Sequence, residues 1–144
     1  MAITLSDEAR QYLATFEATT DAQAFDCLIE DDGKTLVFVV VPEDMAAAIG
    51  PGGEMVDRLE ARFDARIVLV EDADRAPDFV ANALAPAAVY DVLVEENGDR
   101  VAQVTVDPDD MGVAIGREGE RIERARRLAA RHFEIDDIEL EAGR

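Results

Sequence analysis

Ile115-Gly-Arg-Glu-Gly-Glu-Arg-Ile122 lies near the end of the chain, and Ile49-Gly-Pro-Gly-Gly-Glu-Met-Val56 precedes it by 66 positions. The likeness extends without a gap over 19 residues, from 38–56 to 104–122, and includes an identical Ala-Ile-Gly and a shared Gly-Glu. Two parts of one small domain are not expected to match in this way by chance. We therefore interpret the chain as a duplication.

Each copy shows the same predicted order of elements: helix, strand, strand, helix, glycine loop, helix, strand. In the first copy, Ser6 is suited to cap a helix whose apolar face is Ala9, Leu13 and Phe16. Its other predicted elements are strands 25–30 and 35–41 around a turn at Asp32-Gly33, a helix 43–48, a helix ending near 63 and a strand 66–70. In the second copy they are a helix 77–85, strands 88–95 and 101–106 around Asn97-Gly98, a short helix before Gly116, a helix ending near 133 and a strand 138–140.

The segment between the copies, residues 71–77 (EDADRAP), is short and polar. It predicts two α+β modules, residues 1–72 and 73–144, joined by a linker too short for independent tumbling.

Charge points in two directions. The chain has 33 acidic and 14 basic residues, a net charge of −19, and Lys34 is its only lysine. Such a charge by itself argues against a nucleic-acid partner, because phosphates repel an acidic surface. The excess of carboxylates also resembles proteins of extreme halophiles, in which acidic side chains keep the surface hydrated and concentrated salt screens their repulsion. We therefore expect local charge to be more informative than net charge.

The chain has no apolar run long enough to span a bilayer and no basic start followed by an apolar stretch. Cys27 is its only cysteine, which excludes an internal disulfide and fits a reducing compartment. A cytoplasmic location is the expectation.

A Gly-x-x-Gly segment between two helices is suited to hold an anion. Glycine leaves room for a close approach, and the unpaired N–H groups of the following helix favour negative charge. We expect the flanking Ile49, Val56, Ile115 and Ile122 to anchor the two helices in the core. Neither copy has the Gly-Lys-Ser/Thr ending of a nucleotide-binding P-loop or the dinucleotide fingerprint.

Ile-Gly-x-x-Gly-x-x-Ile between two helices resembles the KH signature, whose loop clamps single-stranded nucleic acid. Residues 115–122 match it fully and residues 49–56 conservatively. The element order resembles the type II KH fold, and the tandem pair, over essentially the whole chain, is similar to archaeal NusA-like transcription factors. This resemblance implies an RNA-binding cytoplasmic protein that acts in termination or elongation with RNA polymerase and clamps RNA across both modules. Bacterial NusA also has a polymerase-binding domain and an S1 domain, for which this chain has no room, so polymerase contact would fall to the KH pair.

Local charge separates the copies. Residues 115–133 contain six arginines and three glutamates, a net of +3. Arg117, Arg121, Arg124, Arg127 and Arg131 fall within an arc of about 120° on a helical projection. Surface pairs such as Glu120–Arg124 and Glu123–Arg127 explain part of this pattern, but a stripe for RNA is the preferred interpretation. We predict that the second module grips phosphates, with Arg117 in the loop and Arg121 and Arg124 along the backbone, while the first extends the groove. The predicted RNA-binding residues are Ile115, Gly116, Arg117, Glu118, Gly119, Arg121 and Arg124, with Ile49, Gly50, Pro51, Gly52 and Gly53.

Other features carry less weight. The eight Phe and Tyr residues are expected in the core, Cys27 is expected to be buried, and His132 is expected to be structural or on the surface. No nucleophile lies near a base, and the acidic pairs have no accompanying histidine or cysteine cluster, so we predict no enzyme, no metal site and no cofactor. Two alternatives stay open: a KH accessory factor in ribosome assembly or RNA decay, and a protein-interaction module with degenerate loops.

Overall fold

The computed structural model describes residues 3–144, which form two compact units. One unit is Thr4–Asp72, and the other is Ala73–Arg144 together with Ile3. Each unit has one three-stranded sheet and three α-helices, as the α+β prediction requires. Among residues 3–144, no helix combines the length and the apolar character needed to cross a membrane.

The first unit begins with helix α1, whose start depends on a side-chain cap. The backbone N–H of Ala9 donates to Ser6 Oγ over 3.0 Å, so a helix N–H that has no intrahelical partner is satisfied. The predicted apolar face, Ala9, Leu13 and Phe16, is buried. The elements of this unit are α1 (Asp7–Thr20), β1 (Ala24–Glu30), β2 (Thr35–Val40), α2 (Met45–Ile49), α3 (Glu54–Phe63) and β3 (Arg66–Glu71).

The sheet of the first unit has β2 in the middle, antiparallel to β1 and parallel to β3. Every residue of β2 is buried. The core below the sheet joins Phe38 to Phe16 of α1, with stacked rings 4.4 Å apart, and to Leu59 of α3. The glycine loop therefore lies between two helices, α2 and α3, that contribute Ala48 and Leu59 to the core of this unit.

The second unit repeats this plan with a shorter first helix, longer first and second strands and a longer last helix. Its core includes Phe79, Leu84, Leu128 and Ile138, all fully buried, and α4 packs against both α6 and β4. Strand β5 is central, antiparallel to β4 and parallel to β6. The elements are α4 (Ala76–Leu84), β4 (Val89–Asn97), β5 (Asp99–Val106), α5 (Met111–Ile115), α6 (Glu120–Phe133) and β6 (Asp137–Ala142).

Both hairpins turn where the sequence predicts. Gly98 joins β4 to β5 with a φ of +86°, a conformation natural to glycine. The first hairpin instead closes with a one-turn 3-10 helix at Asp31–Gly33, in which Asp31 and Asp32 also have positive φ. Aspartate is among the non-glycine residues that best tolerate this region.

Candidate nucleic-acid interface

The two glycine loops follow the same backbone path. Each short helix ends in a glycine that has an unusual extended conformation, with φ and ψ of 76° and 165° at Gly50 and of 79° and 173° at Gly116. One 3-10 turn follows, and the long helix begins after Gly53 or Gly119. The Gly53 N–H donates to Gly50 O, and the Gly119 N–H to Gly116 O, over 3.1 Å in both cases. The duplication therefore preserved the backbone conformation of the loop as well as its Gly-x-x-Gly motif.

The first glycine of each loop is required by space as well as by backbone angle. A Cβ added to Gly116 would lie 2.8 Å from the backbone nitrogen of Arg121, and one added to Gly50 would lie 2.7 Å from that of Met55. Real Cβ atoms essentially never come so close to another heavy atom. The backbone of the short helix thus touches the first turn of the long helix, and only glycine permits that contact.

The third loop position is more permissive. Gly52 and Glu118 both adopt left-handed helical angles, with φ of 63° and 56°. A non-glycine residue therefore already occupies this conformation in the second copy, and its carboxylate is exposed.

The long helices α3 and α6 begin without a side-chain cap. The residues that precede them, Gly53 and Gly119, have no side chain to accept a hydrogen bond from a first-turn N–H group. The first N–H of each helix, that of Glu54 or Glu120, donates to the backbone oxygen of Pro51 or Arg117. The positive end of the helix dipole at these starts still favours an anion. Acidic residues, Glu54 and Glu120, also stand in the first turns, so a bound phosphate would have to approach on the loop side of them.

The expected core role of Ile49 and Ile115 is wrong. Their side chains are 39% and 40% exposed, whereas the preceding Ala48 and Ala114 are fully buried. The short helices are only five residues long, so one residue can face the core while its neighbour points to solvent beside the loop. Ile122 is buried as expected, and Val56 is partly buried in the first core. Each loop is consequently bordered by an exposed isoleucine.

The arginine arc of the second module differs from the projection in two ways. Arg117 lies in the 3-10 turn Arg117–Gly119 and not on helix α6, and its side chain is exposed. Arg124 is only 2% exposed, and its Nη2 lies 3.2 Å from Glu120 Oε1. The expected Glu120–Arg124 pair is thus present, but as a buried arginine and not as a surface cation.

The burial of Arg124 follows from the packing of α6. Leu128, which is fully buried, lies roughly 40° from Arg124 around the helix, inside the arc of the arginines. The buried face of α6 is therefore wider than the alanine and isoleucine positions indicate. The position of Leu128 in that arc was the sequence signal for this overlap.

The remaining arginines of this region have different surroundings. Arg121 Nη1 donates to the backbone oxygen of Val113 over 2.5 Å. Arg126 pairs with Glu123 over 2.5 Å and with Asp137 over 3.0 Å, which ties α6 to β6. Arg127 is exposed and Arg131 is half-buried, and both make further polar interactions.

The first loop offers no cation of its own. Pro51 and Gly52 are exposed at the positions of Arg117 and Glu118. The nearest arginine along the chain, Arg58, lies 3.5 Å from Glu54 in an exposed pair one helical turn into α3. Local charge therefore distinguishes the two loops although their backbones agree.

The expected core position is wrong for two aromatic side chains. Phe25 is 45% exposed and Tyr90 is 54% exposed, and each sits at the register shift near the start of its unit's first strand. A bulge turns one residue out of the normal alternation, so periodicity alone misplaces it. Tyr90 donates a 2.7 Å hydrogen bond to Asp107, which raises the pKa of the Tyr90 phenol and lowers the pKa of the Asp107 carboxyl.

Cys27, His132 and Asp110 each contact neighbouring parts of the fold. Cys27 is buried as predicted, and desolvation, together with the nearby Asp26 and Glu8 charges, raises the pKa of its thiol to about 12. The His132 ring lies 5.5 Å from the buried ring of Phe79. Of the acidic pairs, Asp110 accepts a hydrogen bond from the Ala88 N–H over 2.7 Å, which holds the start of β4 to the turn before α5.

Comparisons with known proteins agree with this geometry. A family profile described as NusA-like second KH domain matches residues 76–142, and one described as KH domain matches residues 8–74. The chain is 59% identical to a Halobacterium salinarum protein named "Probable transcription termination protein NusA". The match extends over 140 residues, which are 97% of this chain and 99% of that protein. A Halococcus morrhuae protein of the same name is 55% identical over the same shares. The crystal structure of APE1850 is similar in fold, with a TM-score of 0.84, 25% identity and coverage of 95% of this chain and all of that one.

Proposed function

This chain belongs to the NusA-like family of tandem KH proteins, and on that premise we propose that it is an RNA-binding factor of transcription termination that holds single-stranded RNA at its glycine loops. The observation that carries the proposal is the pair of loops with one backbone geometry, each followed by an uncapped helix start. In KH domains such a loop clamps about four nucleotides by their backbone.

The chemistry of the proposed contact follows from what borders each loop. Phosphate groups are attracted by the positive end of the helix dipole beside each loop, where glycine leaves no side chain in the way. The exposed aliphatic side chains of Ile49 and Ile115 offer apolar surface to the bases beside those phosphates. Sequence preference would come from hydrogen bonds to base edges, since neither loop is flanked by an aromatic residue in the sequence.

We propose that the second module provides the stronger grip. Arg117 is exposed in the turn itself, between Gly116 and Gly119, and its side chain makes no hydrogen bond or ion pair with any residue among 3–144. Its guanidinium is thus available to a phosphate, and a charge-assisted hydrogen bond of this kind is roughly twice as strong as a neutral one. Arg124 is left out of the proposed contact set because it is buried against Glu120. The first loop contributes through its backbone and Ile49 alone.

The net charge of −19 is compatible with this function in concentrated salt. At about 1 M ionic strength the screening length is roughly 3 Å, so distant carboxylates exert little repulsion on RNA. Contacts within hydrogen-bond range persist. Affinity under those conditions depends on the few groups that touch the strand.

We extend the proposal to association with RNA polymerase in the cytoplasm, because the archaeal relatives are named for transcription termination. The proposed role is binding and not catalysis. Co-purification of the tagged full chain with polymerase subunits, before and after RNase treatment, tests whether that association needs RNA.

The test of RNA binding uses Gly119, because the structure leaves open space there. Nothing lies within 4 Å of a Cβ added to Gly119, and its left-handed angles are tolerated by Asp and Asn. A Gly116 variant would be compromised by its contact with Arg121. Gly119→Asp places a carboxylate where the phosphate is proposed to sit, while Gly119→Asn has the same size and no charge.

We expect Gly119→Asp to weaken binding of a labelled random-sequence RNA of about 12 nucleotides at least tenfold more than Gly119→Asn does. The measurement is fluorescence anisotropy in concentrated KCl, with circular dichroism to verify the fold. Gly53→Asp, the same change in the first loop, is expected to have a smaller effect. Equal binding by the Asp and Asn variants, with the fold intact, would contradict the clamp and favour a protein-interaction module.

A further inference from the structure

Arg121 joins the two helices on either side of the second loop. Helix α5 has five residues, and the last four carbonyl groups of a helix have no partner within it. Val113 is the third residue of α5, and its carbonyl oxygen accepts a 2.5 Å hydrogen bond from Arg121 Nη1. Arg121 belongs to the first turn of α6, so this bond crosses from one helix to the other around residues 116–119.

The backbone of Arg121 makes a second contact with the same loop. Its nitrogen and Cβ lie 2.8 and 2.9 Å from where a Cβ of Gly116 would be, so α6 touches the loop at its first glycine. One residue therefore holds both ends of the loop. The backbone of Arg121 packs against Gly116, and its side chain donates to the carbonyl of Val113, three residues before Gly116.

The first module lacks the side-chain half of this arrangement. Met55 stands 66 positions before Arg121 and packs against Gly50 in the same way, with its backbone nitrogen 2.7 Å from an added Cβ. A methionine thioether has no hydrogen to donate. The carbonyl of Ala47, which corresponds to Val113, cannot receive a hydrogen bond from that side chain.

We infer that Arg121 is a positioning residue for RNA binding, which fixes the second loop in its binding conformation before RNA arrives. This inference rests on the proposed RNA-binding function. A loop that is already ordered loses less conformational entropy on binding, so it binds more tightly with no additional contact to the ligand. The second module thus has an advantage over the first that does not depend on charge at the phosphate.

The first test needs no RNA. We expect Arg121→Met, which copies the first module, to increase amide hydrogen exchange at residues 116–119 of the free full-length protein by roughly three- to tenfold. The reciprocal variant Met55→Arg is expected to slow exchange at residues 50–53. Arg121→Lys, which retains one donor, should give partial rescue. Unchanged exchange at residues 116–119 in Arg121→Met would overturn the inference.

The second test separates positioning from direct phosphate contact. Log affinity falls as log salt rises, and removing one phosphate contact to single-stranded RNA makes this fall less steep by about 0.7 in slope. Loss of loop order lowers the affinity without changing the steepness. We expect Arg121→Met to weaken binding of the labelled random-sequence RNA roughly three- to tenfold at every KCl concentration, with the wild-type slope. Arg117→Gln is the control that should reduce the slope.

A reduced slope for Arg121→Met, equal to that of Arg117→Gln, would show that Arg121 contacts phosphate and would refute the positioning role. Failure of the wild-type protein to bind the RNA would instead contradict the proposed function. In that case the exchange measurement still decides whether Arg121 orders the loop, so the two failures can be told apart.

Discussion

Gly116→Ala should destabilise the protein far more than Gly119→Ala, although both glycines belong to one loop. Gly116 has φ 79° and ψ 173°, a region that is essentially reserved for glycine and costs other residues about 1–3 kcal/mol. The added Cβ would also lie 2.8 Å from Arg121 N and 2.9 Å from Arg121 Cβ. Because the first of these atoms is backbone, relief requires α6 to move relative to α5. We expect a total loss of about 3–4 kcal/mol of unfolding free energy.

Gly119→Ala is the matched control. Gly119 has φ 76° and ψ 13°, and nothing lies within 4 Å of an added Cβ. The left-handed conformation costs alanine about 1–2 kcal/mol, and the stiffer unfolded chain returns about 0.4–1 kcal/mol. The net loss should be about 1 kcal/mol. Glu118, which holds left-handed angles in the same turn, indicates that this penalty is tolerated.

The assay is urea denaturation of the full chain at constant KCl, followed by far-ultraviolet circular dichroism. Urea is uncharged, so the salt that screens the acidic surface stays unchanged. Gly50→Ala provides an independent repeat, because its added Cβ would lie 2.7 Å from Met55 N in the other module. If Gly119→Ala lost as much stability as Gly116→Ala, the steric reasoning about the loop would be refuted.

Three other predictions concern the charge and burial of single residues. Arg117→Glu should weaken RNA binding more than Pro51→Glu does in the same anisotropy assay, since only the second loop offers a cation; equal losses would refute the proposed ranking of the modules. Arg124→Met should lower the unfolding free energy, measured in urea, by about 1–2 kcal/mol; this figure is already reduced for the partial exposure of the paired Glu120 carboxylate. The control Arg127→Met, at an exposed arginine, should change the unfolding free energy by less than about 0.5 kcal/mol, and similar losses for the two variants would contradict the burial of Arg124. Cys27 should react with iodoacetamide at pH 8.5 at least roughly tenfold more slowly in the folded protein than in urea, because burial raises the pKa of its thiol to about 12; equal alkylation rates would contradict this. Because the pKa is raised in the folded state, the contribution of Cys27 to stability is present below pH 9 and is lost as the pH rises from 9.0 towards 12.

The element order could be predicted from sequence because its signals are local. Ser6 before an apolar periodicity, alternating strands around Gly98 and the repeated glycine loop each depend on neighbouring residues only, and the structure confirms the elements they predict. The duplication strengthened every assignment, since each element was observed twice.

Solvent exposure at the interface could not be predicted in the same way. Ile49 and Ile115 have the apolar character of core residues, but they end helices of only five residues and point to solvent. Phe25 and Tyr90 lie where a strand changes register, which shifts the alternation between faces. Hydrophobicity alone does not distinguish a core residue from an apolar residue beside a binding loop.

The repeated Ile-Gly-x-x-Gly segments were sufficient to establish two KH modules, because a glycine loop between helices and its flanking pattern are encoded by adjacent residues. The separate roles of the arginines depended on tertiary packing. A helical projection places Arg121, Arg124 and Arg127 on one arc, but it contains no information about which part of that arc the rest of the module covers. Arg124 is buried in the folded chain like Leu128 on the same arc, and the nearness of α5 directs Arg121 to the Val113 carbonyl. These contacts join residues on different elements, so only the folded chain could decide which arginines remain available to RNA.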